Sequence, residues 1–163
     1  GGPEISKLSE QARNENLIVD ESLQLPRPML HSNDLNFSFS GLKTAVMTRI
    51  KKYPNLTDTI KKMIALEFEN SVTDVLVAKV KQAIYETKGR ELIIGGGVSA
   101  NTHIRYALSE LCKNEGIQLY LPEKNLSGDN GIMIAGTGLL HLALDVKPKT
   151  KLKANGSWSI ENS

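Results

Sequence analysis

Glu91-Leu92-Ile93-Ile94-Gly95-Gly96-Gly97-Val98-Ser99-Ala100-Asn101 reads as a short apolar strand that runs straight into a glycine turn and then into a helix start. Ser99 or Asn101 caps that helix, whose Ile104, Leu108, Leu111 and Cys112 fall on one face. Asn114-Glu115-Gly116 stops it, and Ile117–Leu121 forms a second strand. A loop over Pro122–Asp129 then leads into an apolar helix over about Asn130–Asp145. Strand, helix, strand, helix in this order predicts an α/β unit with parallel strands. Ligands of such sheets sit beyond the carboxyl ends of the strands. Two places meet that description: the glycine run after Ile94 and the loop before Asn130.

Upstream, Thr57 caps a long helix to about Thr87. Its apolar positions Ile60, Ile64, Phe68, Val72, Val75, Leu76, Val80 and Ile84 recur at three- and four-residue spacing. Lys88-Gly89 ends it. Before it, Gly41 opens a helix over about Leu42–Lys52, broken by Tyr53-Pro54-Asn55. Asn36-Phe37-Ser38-Phe39-Ser40 alternates polar and aromatic residues, as a short strand does. Residues 17–34 form a connector that Pro26 and Pro28 hold extended. Gly2-Pro3 starts a first helix that ends near Asn14 to Asn16, because proline loses no hydrogen bond in a first turn. The expected organisation is thus a helix, connector and Phe-Ser segment over 1–56, an α/β lobe with its long helix over 57–145, and a polar, lysine-rich tail over 146–163.

Composition narrows the class. The 163 residues are 40% hydrophobic and 23% charged, ordinary for a globular domain with a real core. A net charge of +2 does not by itself mark a nucleic-acid binder. The single cysteine, Cys112, excludes a disulfide framework and a cysteine zinc site within this chain. No apolar run approaches the roughly 20 residues of a membrane span, and the opening residues do not resemble a signal peptide.

Several residues are candidates for chemistry. Gly95, Gly96 and Gly97 expose backbone N–H groups at a strand end, and the following helix adds its positive dipole end. Asn101 offers an amide that can both donate and accept. The competing reading is a tight turn with a capped helix. Asp129 stands at the mouth of an apolar helix, where it either caps the helix or offers a carboxylate to a metal. Lys43, near a helix start, points to an anionic partner or to simple solvation. His31, His103 and His141 form no H-x-x-x-H pair. Cys112 reads as a small buried hydrophobe. Basic residues gather at Arg49, Lys51, Lys52, Lys61 and Lys62, and again at Lys147, Lys149, Lys151 and Lys153; each group reads as a solvated face, and the second alternatively as a flexible arm attracted to phosphates.

Gly-Gly-Pro-Glu-Ile-Ser-Lys-Leu-Ser at residues 1–9, Leu-Pro-Arg-Pro-Met at 25–29, Phe-Ser-Phe-Ser-Gly-Leu-Lys-Thr-Ala-Val at 37–46, Ile-Ile-Gly-Gly-Gly-Val-Ser-Ala-Asn-Thr-His-Ile-Arg at 93–105 and Ser-Gly-Asp-Asn-Gly-Ile-Met-Ile-Ala-Gly at 127–136 occur here in one order. Together they resemble the carboxyl-terminal half of the TsaD (Gcp) family, formerly called O-sialoglycoprotein endopeptidase. The resemblance covers about residues 1–145. It argues that Gly1-Gly2 is native, because the family carries Tyr-Pro-Gly-Gly-Pro there.

The resemblance implies the actin-like ATPase fold (ASKHA, RNase H-like), here as its C-terminal lobe with a helical insertion. It implies an acyltransferase that moves threonylcarbamoyl from threonylcarbamoyl-AMP to the adenosine 3′ of the anticodon, in tRNAs reading codons that start with A. It implies one divalent metal, iron or zinc, bound by an H-x-x-x-H pair and a later aspartate matched by Asp129. It implies substrate contacts at Gly2 and Asn101; the Gly95–Gly97 turn joins them as the ligand-binding turn that the residues themselves offer. The family has Cys-Thr-Asp-Asn where this chain has Ser127-Gly128-Asp129-Asn130, so the ligand is kept and a thiol and a hydroxyl are lost. The H-x-x-x-H pair and the first actin-like lobe are absent from this chain, so the fragment alone is expected to be inactive. Expected partners are tRNA, TsaB-like and TsaE-like subunits if the source is bacterial, or a second copy in a homodimer. The expected location is the bacterial cytoplasm, with an organelle as the alternative, and no membrane. Two rivals are a sugar- or acetate-kinase-like phosphotransferase fragment and a non-catalytic paralogue acting as a scaffold.

Overall fold

A computed structural model describes residues 1–147. They divide into two compact units, one over Gly1–Gly128 and one beginning at Asp129. The first unit holds α1 (Gly2–Asn14), α2 (Ser40–Lys51), α3 (Asp58–Thr87), β1 (Glu91–Ile93), α4 (Thr102–Glu115) and β2 (Gln118–Tyr120). The second holds α5 (Gly131–Ala143). Residues 1–56 belong to the same compact unit as α3, β1, α4 and β2. The tail expected over 146–163 lies outside the described residues from 148 onward.

The helix signals operate as read. Thr57 caps α3, accepting the Ile60 N–H on its hydroxyl at 3.3 Å. The 30-residue helix ends at Lys88, which adopts the left-handed conformation just before Gly89. Pro3 sits in the first turn of α1. Between Ser99 and Asn101 the structure chooses Asn101 as the cap of α4, and Gly116 at φ 67° closes that helix. The strands pair in parallel, with Glu91 opposite Gln118, Leu92 opposite Leu119 and Ile93 opposite Tyr120.

One element is corrected. Asn36–Phe39 is not a strand. The alternation has no neighbour to pair with among the described residues. Instead the Phe37 and Phe39 rings meet each other at 5.8 Å, and the Ser38 and Ser40 hydroxyls hydrogen-bond locally. Such short-range bonds compete with a ladder, and α2 begins at Ser40, two residues earlier than read.

α3 is the spine. Ile104, Leu108 and Leu111 of α4 are buried against Val72, Leu76, Val80 and Ile84, and Ile94 packs on the same cluster. Burying side chains of this size contributes about 1.5–3 kcal/mol each. α1 also packs along α3 and buries Ala12. The connector is pinned by polar side chains of α3. Glu67 accepts the Leu25 N–H at 2.9 Å and pairs with Arg27. Ser71 donates to the Pro26 carbonyl at 2.5 Å. Lys79, almost wholly buried, donates to Ser32 and to the Asp34 carbonyl.

Cys112 is 2% exposed, and burial pushes its thiol above the ordinary range. Alkylation at about pH 8 should therefore run about a hundredfold slower in the native chain than in denaturant, because only opened molecules react. Labelling as fast in the native chain as in denaturant would show that Cys112 is not buried.

In the second unit, α5 carries no charged residue and has no buried one. Among the described residues of its own unit nothing buries it, and Ile132, Ile134, Leu139 and Leu142 are all exposed.

Candidate functional site

The parallel register places both loops at the carboxyl edge of the strands, so the glycine turn and residues 122–127 lie where the sheet rule puts a ligand. Gly96 has φ 87° and ψ 163°, a conformation that a side chain would strain. A Cβ added at Gly95 or Gly97 would meet nothing within 4 Å. Internal crowding does not require glycine at those two positions. Their backbone is simply bare, which suits close approach by a ligand. The chain then makes a single 3-10 turn, Gly97–Ala100, that buries Ser99 and leaves its hydroxyl without a hydrogen bond.

Asn101 is occupied on three sides. Its Oδ1 accepts the Ile104 N–H at 2.9 Å, capping α4. Its Nδ2 donates to the Ser6 hydroxyl at 2.9 Å and to Glu69 Oε1 at 2.6 Å. The other Glu69 oxygen receives Arg13 at 2.5 Å, and Arg13 also donates to Asn70 at 2.9 Å. Ser6 is one helical turn from Gly2, the first residue of α1. The amide of Asn101 therefore ties the start of α1 to the start of α4. Two of the residues singled out in the sequence, Gly2 and Asn101, stand at the two helix mouths so joined. His103, one residue into α4, is held below the usual imidazole range by burial and then by the nearby Arg13 guanidinium, with Glu69 and Asp74 opposing.

Sequence reasoning missed Ser6, Arg13, Glu69 and Arg105. The last donates through Nε to the Ser99 carbonyl, and through one terminal nitrogen to the Pro122 carbonyl at 2.6 Å and the Ser127 hydroxyl at 3.1 Å. A signal for Glu69 exists in Ala65-Leu66-Glu67-Phe68-Glu69, where two carboxylates interrupt an apolar stretch. Buried charges require partners.

Asp129 opens the second unit. The cap of α5 is Asn130, whose Oδ1 accepts the Met133 N–H at 3.0 Å. The capping alternative for Asp129 is thus taken by its neighbour. Among the described residues no three His, Cys, Asp or Glu side chains come together as a metal site. Lys43 lies elsewhere, in an apolar groove of about 540 Å³ that also involves Ile5, Met47, Ile64 and Phe68.

A family model described as "TsaD: tRNA N6-adenosine threonylcarbamoyltransferase" matches residues 1–136. A protein of that name from Polynucleobacter necessarius is 40% identical over 173 aligned positions, covering 95% of this chain and 47% of the relative. Another from Burkholderia multivorans is 44% identical over 149 positions, covering 88% of this chain and 41% of its own length. A third from Burkholderia ambifaria is 44% identical, covering 87% and 41%. The chain spans less than half the length of these relatives. The five segments over 1–136, set on this α/β unit and matched across nearly the whole described chain, place it in the TsaD family of tRNA N6-adenosine threonylcarbamoyltransferases.

Proposed function

We propose that this chain is the carboxyl-terminal part of a threonylcarbamoyltransferase of the actin-like fold, and that its glycine turn holds the AMP half of threonylcarbamoyl-AMP. The observation that carries this reading is the Asn101–Ser6 bond, which joins two helix mouths next to a bare glycine backbone. Free N–H groups and two positive dipole ends favour a phosphate there. In the transfer, N6 of the tRNA adenosine attacks the carbamoyl carbon, the bond from that carbon to the phosphate oxygen breaks, AMP departs as the phosphate anion, and the proton lost from N6 goes to solvent. Gly2 and Gly95–Gly97 hold the departing nucleotide. Asn101 fixes the turn, with one acceptor lone pair left for the ligand.

Asp129 would supply one ligand to a metal, and the described residues bring no set of three together. An H-x-x-x-H pair elsewhere in the full-length protein would complete the site for iron or zinc. The substrate is tRNA, with TsaB-like and TsaE-like subunits or a second copy as partners, in the bacterial cytoplasm or an organelle. No helix among the described residues is long and apolar enough to cross a membrane.

Given threonylcarbamoyl-AMP and tRNA, the 163-residue chain alone should give no transfer, while the full-length protein with its partners should. Turnover by the chain alone would show that the active site has been misplaced.

Asn101→Asp makes a sharper test of the site. It keeps the helix cap, since Asp caps as well as Asn, but it loses the Nδ2 donor and sets a carboxylate against Glu69. Adenylate binding by the full-length protein should weaken about tenfold, consistent with about 1–3 kcal/mol for disrupted polar contacts. An unchanged dissociation constant by calorimetry would remove Asn101 from the ligand site.

A further inference from the structure

We propose that Arg105 is a positioning residue that locks the turn after the glycine run to the loop over residues 122–127. It sits at the end of the first turn of α4, within the first unit. A guanidinium carries five N–H donors in a rigid plane. Here its Nε donates to the Ser99 carbonyl, in the turn that follows β1. One terminal nitrogen donates to the Pro122 carbonyl at 2.6 Å and to the Ser127 hydroxyl at 3.1 Å, in the loop that follows β2. Ser127 is 4% exposed and passes the chain of bonds on, donating to the Glu123 carbonyl at 3.2 Å. One side chain therefore fixes the width between the two loops on the sheet edge.

Two features make this more than packing. First, Arg105 forms no ion pair among the described residues, and every acceptor it uses is neutral. The charge is spent on loop carbonyls that have no ladder partner, where a donor lost would leave them unpaired. Second, Ser127 is almost wholly buried, so its hydroxyl has to find its partners inside the protein. It accepts from Arg105 and donates to the Glu123 carbonyl, which ties the far end of the brace into the 122–127 loop. Ser127 belongs to the scaffold of the site in this chain.

The meaning of the brace for catalysis rests on the proposed adenylate site, and the two are tested separately. In the 163-residue chain, hydrogen exchange followed by mass spectrometry reads the brace alone. Arg105→Gln should speed exchange about tenfold in peptides covering both 97–101 and 122–127, with peptides of α3 unchanged. Should that variant fail to fold, Ser127→Ala gives the milder case. It frees 122–127, leaves 97–101 as in the parent, and is reversed by Ser127→Thr. Loop exchange equal to the parent in Ser127→Ala, or a uniform rise across the chain, overturns the brace. In the full-length enzyme, Arg105→Lys keeps the charge but loses the planar fork. It should raise KM for threonylcarbamoyl-AMP about tenfold, leave kcat within about twofold and leave the melting temperature in place. Unchanged KM in the lysine variant together with parent-like loop exchange in Arg105→Gln overturns the positioning role. Unchanged KM with the brace upheld by exchange shows instead that the adenylate reading of the turn has failed.

Discussion

Asp129→Asn in the full-length protein should abolish metal binding and transfer together while leaving the metal-free melting temperature in place. The side chain is not needed to start α5, because Asn130 caps that helix. A residue that only supported the helix would in any case tolerate asparagine. The substitution therefore removes a carboxylate charge and little else. Loss of outer-shell partners alone costs about 10–100-fold in metal affinity or activity. Loss of a direct ligand should cost at least about a hundredfold in both. Metal analysis and the transfer assay on the same preparation read the outcome. Normal metal content with normal turnover would sink the ligand assignment and leave Asp129 without a role.

Glu69→Ala should be the most damaging single change to the fold of the first unit. The carboxylate is 5% exposed and receives both Arg13 and Asn101. Removing it strands a guanidinium and an amide donor in a partly buried place. Breaking one partner out of a buried ion pair costs about 3–5 kcal/mol, and Arg13 retains some access to water, so about 3 kcal/mol is expected. For a chain of this size each kcal/mol shifts the midpoint by about 2–4 °C, so the drop should be about 6–12 °C. Glu69→Gln should fall between, because it keeps an acceptor and loses the charge. Arg13→Met in the Glu69→Ala background should cost little more, since the pair acts as one. Additive losses in that cycle would show that the two residues are energetically separate.

The sequence declared its backbone through local chemistry. Thr57, Lys88-Gly89, Asn101 and Gly116 end or begin helices for reasons contained within a few residues, and the strands flank a helix that carries one apolar stripe. The parallel pairing and the location of the glycine turn followed from that order. The polar interior did not, because it is made by residues far apart in sequence. Asn101 to Ser6 spans 95 positions and Leu25 to Glu67 spans 42. A glutamate or lysine on a long helix reads as solvated unless its partner is known, so Glu69 and Lys79 were invisible as buried residues. The Phe37–Phe39 segment failed for the opposite reason. Its alternation is a local pattern whose fulfilment needs a distant strand. The metal reading of Asp129 came from resemblance, and the structure contributes only the removal of its capping rival.

The sheet of the first unit has two strands of three residues each, hydrogen-bonded to each other and to no third strand among the described residues. Among the described residues each outer edge therefore has no strand paired to its backbone donors and acceptors, and Ile93 beside one of them is 77% exposed. An uncovered edge of this kind is a template for another chain, and a sheet this narrow gains stability with every strand added. Produced by itself, the segment should self-associate as its concentration rises, and a lysine at Ile93 should raise the concentration at which it does.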